Sequence, residues 1–139
     1  MGTTLIDKEM LADELTNFTG TEMYHPFNIV MRDVVLTDGA SYLAQTARAY
    51  WLMDIIGSAT KHTKELRENE FIVWTLKVSD HKGIVTATAD EEAVLYSQTI
   101  EYTDFPLDEI VLWVEMGAWN PWNPKDKQPF YVIMLPSEH

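Results

Sequence analysis

The sequence predicts an α+β domain with N-terminal helices packed on a C-terminal antiparallel sheet of about five strands. Three observations carry that reading. Before residue 70 apolar residues recur at helical spacing, and after it they alternate with a period of two. The chain has 139 residues, 46% of them hydrophobic, which suffices for one core and one domain over residues 1–139. It has no cysteine, so packing rather than disulfides or a cysteine-ligated metal must hold that core.

Taken in order, Thr4 can accept from the first amides of a helix through Leu5, Ile6, Met10, Leu11 and Leu15, with Asp7, Glu9 and Asp13 outside. Gly20 and Pro26 then interrupt the pattern. Residues 17–33 read as an irregular connection, and Met23, Tyr24, Phe27, Ile29 and Val30 suit a packed loop or short strand. Asp38 is placed to cap a helix from Gly39 to Ile56, with Gly57 as its stop. Because this helix is apolar on nearly every side, it is expected to be central, between the sheet and another helix. Residues 61–70 are charged, with Lys64 and Glu68 four apart, and predict a short exposed helix.

The sheet begins at Phe71, where Ile72, Trp74, Leu76 and Val78 alternate with Phe71, Val73, Thr75 and Lys77. His81-Lys82-Gly83 reads as a turn into a second strand over 84–89. Asp90-Glu91-Glu92 turns the chain into a third over 93–102. Pro106 breaks the pattern before a fourth strand over 110–116, and Tyr131 to Leu135 supplies the last. Residues 117–130 hold Pro121, Pro124 and Pro129 and read as a long surface loop.

Charge narrows the function classes. The net charge of −12 repels phosphate backbones and anionic membranes, which disfavours direct nucleic-acid binding. No long uncharged apolar run and no signal-peptide pattern is present, so the expected location is cytoplasmic, without membrane association. Residues 83–124 contain eight acids and no Lys or Arg. Such a stretch suits either a solvated surface or a face that attracts a basic protein.

Six stretches stand out together: Leu36 to Leu43 with its Thr37-Asp38-Gly39, Ala49 to Ile56, Glu70 to Val78, Tyr102 to Leu107, Leu112 to Glu115, and Leu135-Pro136-Ser137-Glu138. In this order they resemble a bacterial domain-of-unknown-function family found in cyanobacteria, Bacteroides relatives and mobile elements. The resemblance implies no activity. The departures are the loop with Trp119 and Trp122 and the terminal His139.

Three function classes follow. The leading one is a small non-enzymatic binding protein, of phage or mobile-element type, that engages a basic protein surface by phosphate mimicry. Its candidate surface is Asp90, Glu91, Glu92, Asp104, Asp108, Glu109, Trp119 and Trp122: acids for the charge, tryptophans as anchors. The second is an enzyme or ligand-binding domain with a pocket between the central helix and the sheet, using Asp54, Asp104, Tyr50 and Trp74. The third is a homodimer paired through an edge strand such as Tyr131 to Leu135. Asp38 and Asp104 also fit a helix cap and an Asx-turn, and Asp54, inside the apolar helix, fits pairing with Arg48 or a backbone group. No catalytic residue, cofactor or metal is expected: the four histidines share no helical face, and no nucleophile elbow or glycine-rich phosphate loop exists.

Overall fold

The computed structural model describes residues 8–28, 31, 33–89, 93–117 and 130–139. The Thr4 cap therefore lies outside the described residues, as do Asp90, Glu91, Glu92, Trp119 and Trp122. The helices are α1 (Lys8–Leu15), α2 (Asp38–Thr46), α3 (Tyr50–His62) and α4 (Lys64–Arg67). The strands are β1 (His25–Pro26), β2 (Val34–Leu36), β3 (Phe71–Ser79), β4 (Lys82–Thr88), β5 (Val94–Ile100), β6 (Glu109–Gly117) and β7 (Phe130–Met134). A three-ten turn over Pro136–Glu138 follows the last strand.

The α+β class stands, with seven strands among the described residues in place of about five, and the sheet is mixed rather than antiparallel. The strand order is β1-β2-β7-β6-β3-β4-β5. Strand β2 runs parallel to β7, with Val34, Val35 and Leu36 opposite Tyr131, Val132 and Ile133. The two extra strands precede α2. Strand β1 has two residues, and β2 has three that are all buried and apolar, so neither shows an alternation.

Alternation assigns the sheet's two faces. Ile72, Trp74 and Leu76 of β3, with Val85 and Ala87 of β4 and Leu112 and Val114 of β6, form the core under the helices. Val73, Thr75, Thr86, Val111 and Trp113 lie on the other face and are half-buried. At its outer side this second face carries a small cluster of Val35, Phe130, Val132 and Met134.

The single helix expected over Gly39 to Ile56 is two helices. Arg48 takes a left-handed φ of 54° between them, and the Ala49 amide reaches back to the Ala44 carbonyl at 2.8 Å. This is the helix-ending geometry that glycine usually supplies, and arginine in that place hides it from sequence reading. Gly57 is not a stop: α3 continues to His62, and the glycine instead lets the helix approach Met31, whose Cε would lie 3.2 Å from an added Cβ. Thr37 rather than Asp38 caps α2, accepting from the Ala40 amide at 3.3 Å, because the helix starts one residue earlier. The β3–β4 turn is Asp80-His81, both with positive φ, which suits the twist of a two-residue hairpin.

Candidate functional site

Among the described candidates, Asp104, Asp108 and Glu109 are exposed and gather at the end of the sheet where β3 finishes at Ser79. Asp80 and Glu101 join them there. The fold also brings cations to this end: Lys8 bonds Asp108 at 2.7 Å, Lys77 lies opposite Glu109, and Lys82 opposite Ser79. The charge is therefore less one-sided than the stretch of eight acids suggests. A polar cleft of about 640 Å³ opens here, lined by Ser79, Asp80, His81, Thr103, Asp104 and Asp108 among others. The turn bond at Asp104 comes from its neighbour: the Phe105 amide donates to Thr103 Oγ1 at 3.1 Å. His81 stacks on exposed Tyr102 with ring centres 5.3 Å apart.

The opposite end of the sheet, where β3 begins at Phe71, holds the strand ends next to the remaining candidates. Thr88 pairs with Val94 there, flanking 90–92, and Gly117 pairs with Phe130, flanking 118–129. The two hairpins are separated by β3, so their ends lie roughly 14 Å apart at ordinary strand spacing.

A second cleft, of about 430 Å³, lies between α3 and β5. Asp54, Ser58 and His62, spaced four apart along α3, face Tyr96 and Gln98 on the helix side of β5. Asp54 is exposed and accepts from the Asn28 side-chain Nδ2 at 3.1 Å, a correction to its expected burial against Arg48 or a backbone group. Tyr96 donates to Gln98 Oε1 at 2.7 Å, and its ring lies 5.6 Å from that of buried Trp74. Among the described residues the indole Nε1 of Trp74 has no hydrogen-bond partner. Of the four residues expected to form a helix–sheet pocket, Asp54 lines this cleft. Asp104 lines the other one, so the two acids do not share a site.

A buried polar site joins the start of α2 to the C-terminal turn. The buried Glu138 carboxylate accepts from Thr37 Oγ1 at 2.6 Å and the Leu135 amide at 3.0 Å through Oε1, and from the Gly39 amide at 2.8 Å through Oε2. A carboxylate so placed satisfies amides at the start of α2 and opposes the positive end of the helix dipole. Beside it, Asp38 accepts from His25 Nε2 at 2.7 Å and from the Glu22 amide at 2.9 Å. The Glu22 amide, followed by the imidazole, holds the Asp38 carboxyl below its usual range. These bonds tie residues 21–25 and the C-terminal turn to α2, and each donor is already used for that purpose.

Thr37-Asp38-Gly39 and Leu135-Pro136-Ser137-Glu138, two stretches that carried the family resemblance, thus meet in space. A family model described as "Family of unknown function (DUF6876)" matches residues 9–139. The chain belongs to this family. No curated protein and no solved structure matches it.

In this DUF6876 domain, sequence reasoning did not single out Glu138, His25, His62, Tyr96 or Gln98 as partners in a site. Glu138 had one available signal, an acid in the short turn that follows an apolar final strand. Two of its three partners, Gly39 and Thr37, lie 99 and 101 residues away, beyond any local pattern. No group of three His, Asp or Glu suited to a metal ion occurs among the described residues, and no described helix is long and apolar enough to cross a membrane.

Proposed function

We propose that this protein is a non-enzymatic binding protein that engages a basic protein surface through the end of the sheet next to Phe71. In this reading Asp90, Glu91 and Glu92 supply the charge and Trp119 and Trp122 the anchors. The partner site is one that otherwise takes phosphates, as on a nucleic-acid-handling complex of a phage or mobile element. One observation carries the proposal: the hairpin ends flanking 90–92 and 118–129 share one end of the sheet. Asp104, Asp108 and Glu109 sit at the other end, beside Lys8, Lys77 and Lys82, and contribute long-range attraction.

The test compares proteins retained from a host lysate by wild type and by three variants. D90K/E91K/E92K and W119A/W122A are expected to lose the same partner, which also elutes from wild type as salt rises. D104K/D108K/E109K is expected to retain it with weaker salt-dependent attraction. Retention by the first two variants, or loss confined to the third, would overturn the proposal.

A second reading rests on the α3–β5 cleft. Its size suits a small molecule, and Asp54, Ser58, His62 and Gln98 would orient a polar ligand against the Tyr96 ring. A thermal-shift screen of polar metabolites tests it. A compound that stabilises wild type but neither D54N nor Q98A would support the cleft; stabilisation unchanged in both variants would exclude it.

A further inference from the structure

The two edges of the sheet are built differently. Strand β1 closes one edge with two residues, one of them Pro26, which offers no backbone N–H. Strand β5 closes the other with seven residues, Val94-Leu95-Tyr96-Ser97-Gln98-Thr99-Ile100, none of them charged and none proline. Short length, charge, proline and bulges are the usual devices that stop sheet edges from pairing with another chain; β5 has none of the first three, and its register shift against β4 is confined to Leu95 near its start, which leaves Tyr96–Ile100 regular. Among the described residues only β4 pairs with β5, so its outer backbone groups lack a strand partner. Strand β7, the edge expected from sequence, is interior, with β2 on one side and β6 on the other.

From this contrast we infer that two copies of the chain pair antiparallel through β5, joining their sheets into one. A two-fold axis at the centre of the strand passes through Ser97, with the Leu95 register shift lying to one side of it. That register places Ser97 opposite its own copy, where the small side chain leaves room for close approach. Tyr96 then meets Gln98 of the second copy, Leu95 meets Thr99, and Val94, 59% exposed, meets Ile100. The apolar, hydroxyl and amide residues of β5 are therefore self-complementary, as a two-fold interface requires. A second copy fits better than a basic partner because the strand offers backbone groups and no charge. Each copy carries −12, so repulsion opposes pairing and added salt should strengthen it. Binding of a basic partner responds in the opposite sense.

Sedimentation across a concentration series tests the inference with the full chain. Wild type should reach twice the 16.0 kDa chain mass, at lower concentration in higher salt. S97K and S97E each place like charges across the axis and should weaken pairing about tenfold or more, while their mixture should recover a heterodimer. Ser97 is exposed, so both variants should keep wild-type circular dichroism. Because the chain lacks cysteine, S97C should form one disulfide-linked dimer under mild oxidation, and S137C, exposed elsewhere, should not. A monomer at every concentration and salt would overturn the inference and leave the edge to a foreign strand. A dimer indifferent to S97K and S97E would overturn it by placing the interface elsewhere.

Discussion

Replacing Gly39 by alanine should destabilise the protein, although the same change within a helix ordinarily stabilises by about 0.5–1 kcal/mol. An added Cβ would lie 2.6 Å from Glu138 Oε1, 2.7 Å from its Cδ and 2.6 Å from Leu135 Cδ1. Those distances cannot persist, so the carboxylate must move away from the three donors it now satisfies. Charge-assisted hydrogen bonds contribute roughly 1.5–3 kcal/mol each, and partial loss of three gives an expected net cost of about 3 kcal/mol. At about 2 cal/mol/K of unfolding entropy per residue, that lowers the melting temperature by about 10 °C. Circular dichroism melts of wild type, G39A, E138A and the double variant measure it. E138A removes two of the three clashing atoms, so G39A should cost distinctly less in that background. A melting temperature for G39A at or above wild type, or strict additivity with E138A, would refute the steric argument.

Three further expectations follow from the same geometry. R48G should raise stability by about 0.5–1 kcal/mol in urea unfolding, since Arg48 is exposed and glycine relieves its left-handed backbone. Asp38 is held below its ordinary value of 3.8, so its pairing stabilises above that pH and is lost as pH falls through the folded value; D38N should remove this acid-limb dependence from pH-resolved melts. Y131F deletes the bond from the buried tyrosine hydroxyl to the Arg67 carbonyl at 3.1 Å and should cost about 1 kcal/mol by urea unfolding.

How much could be read in advance depended on the range of the physics involved. Strands β3 and β6 were legible because nine residues of alternation record which side chains face the core. The split between α2 and α3 was not, because Arg48 occupies a backbone conformation for which glycine is the usual signal. Asp54 looked buried from its apolar neighbours, yet it sits on the α3 face left uncovered beside edge strand β5. The acidic surface shows the same limit. A count over residues 83–124 could not know that Lys8 would reach Asp108, 100 residues away.

The sequence by itself determined the α+β class, the location of the main helices and strands, and the family resemblance that the family match bears out. These follow from local propensity and periodicity, which act between residues a few positions apart. Only the tertiary structure decided that Val34–Leu36 pairs parallel with Phe130–Met134, that Glu138 holds the start of α2, and that β5 rather than β7 is an edge. Those outcomes depend on which apolar faces and backbone groups remain unsatisfied after local structure has formed. Their partners are then set by burial and hydrogen bonding across the whole chain.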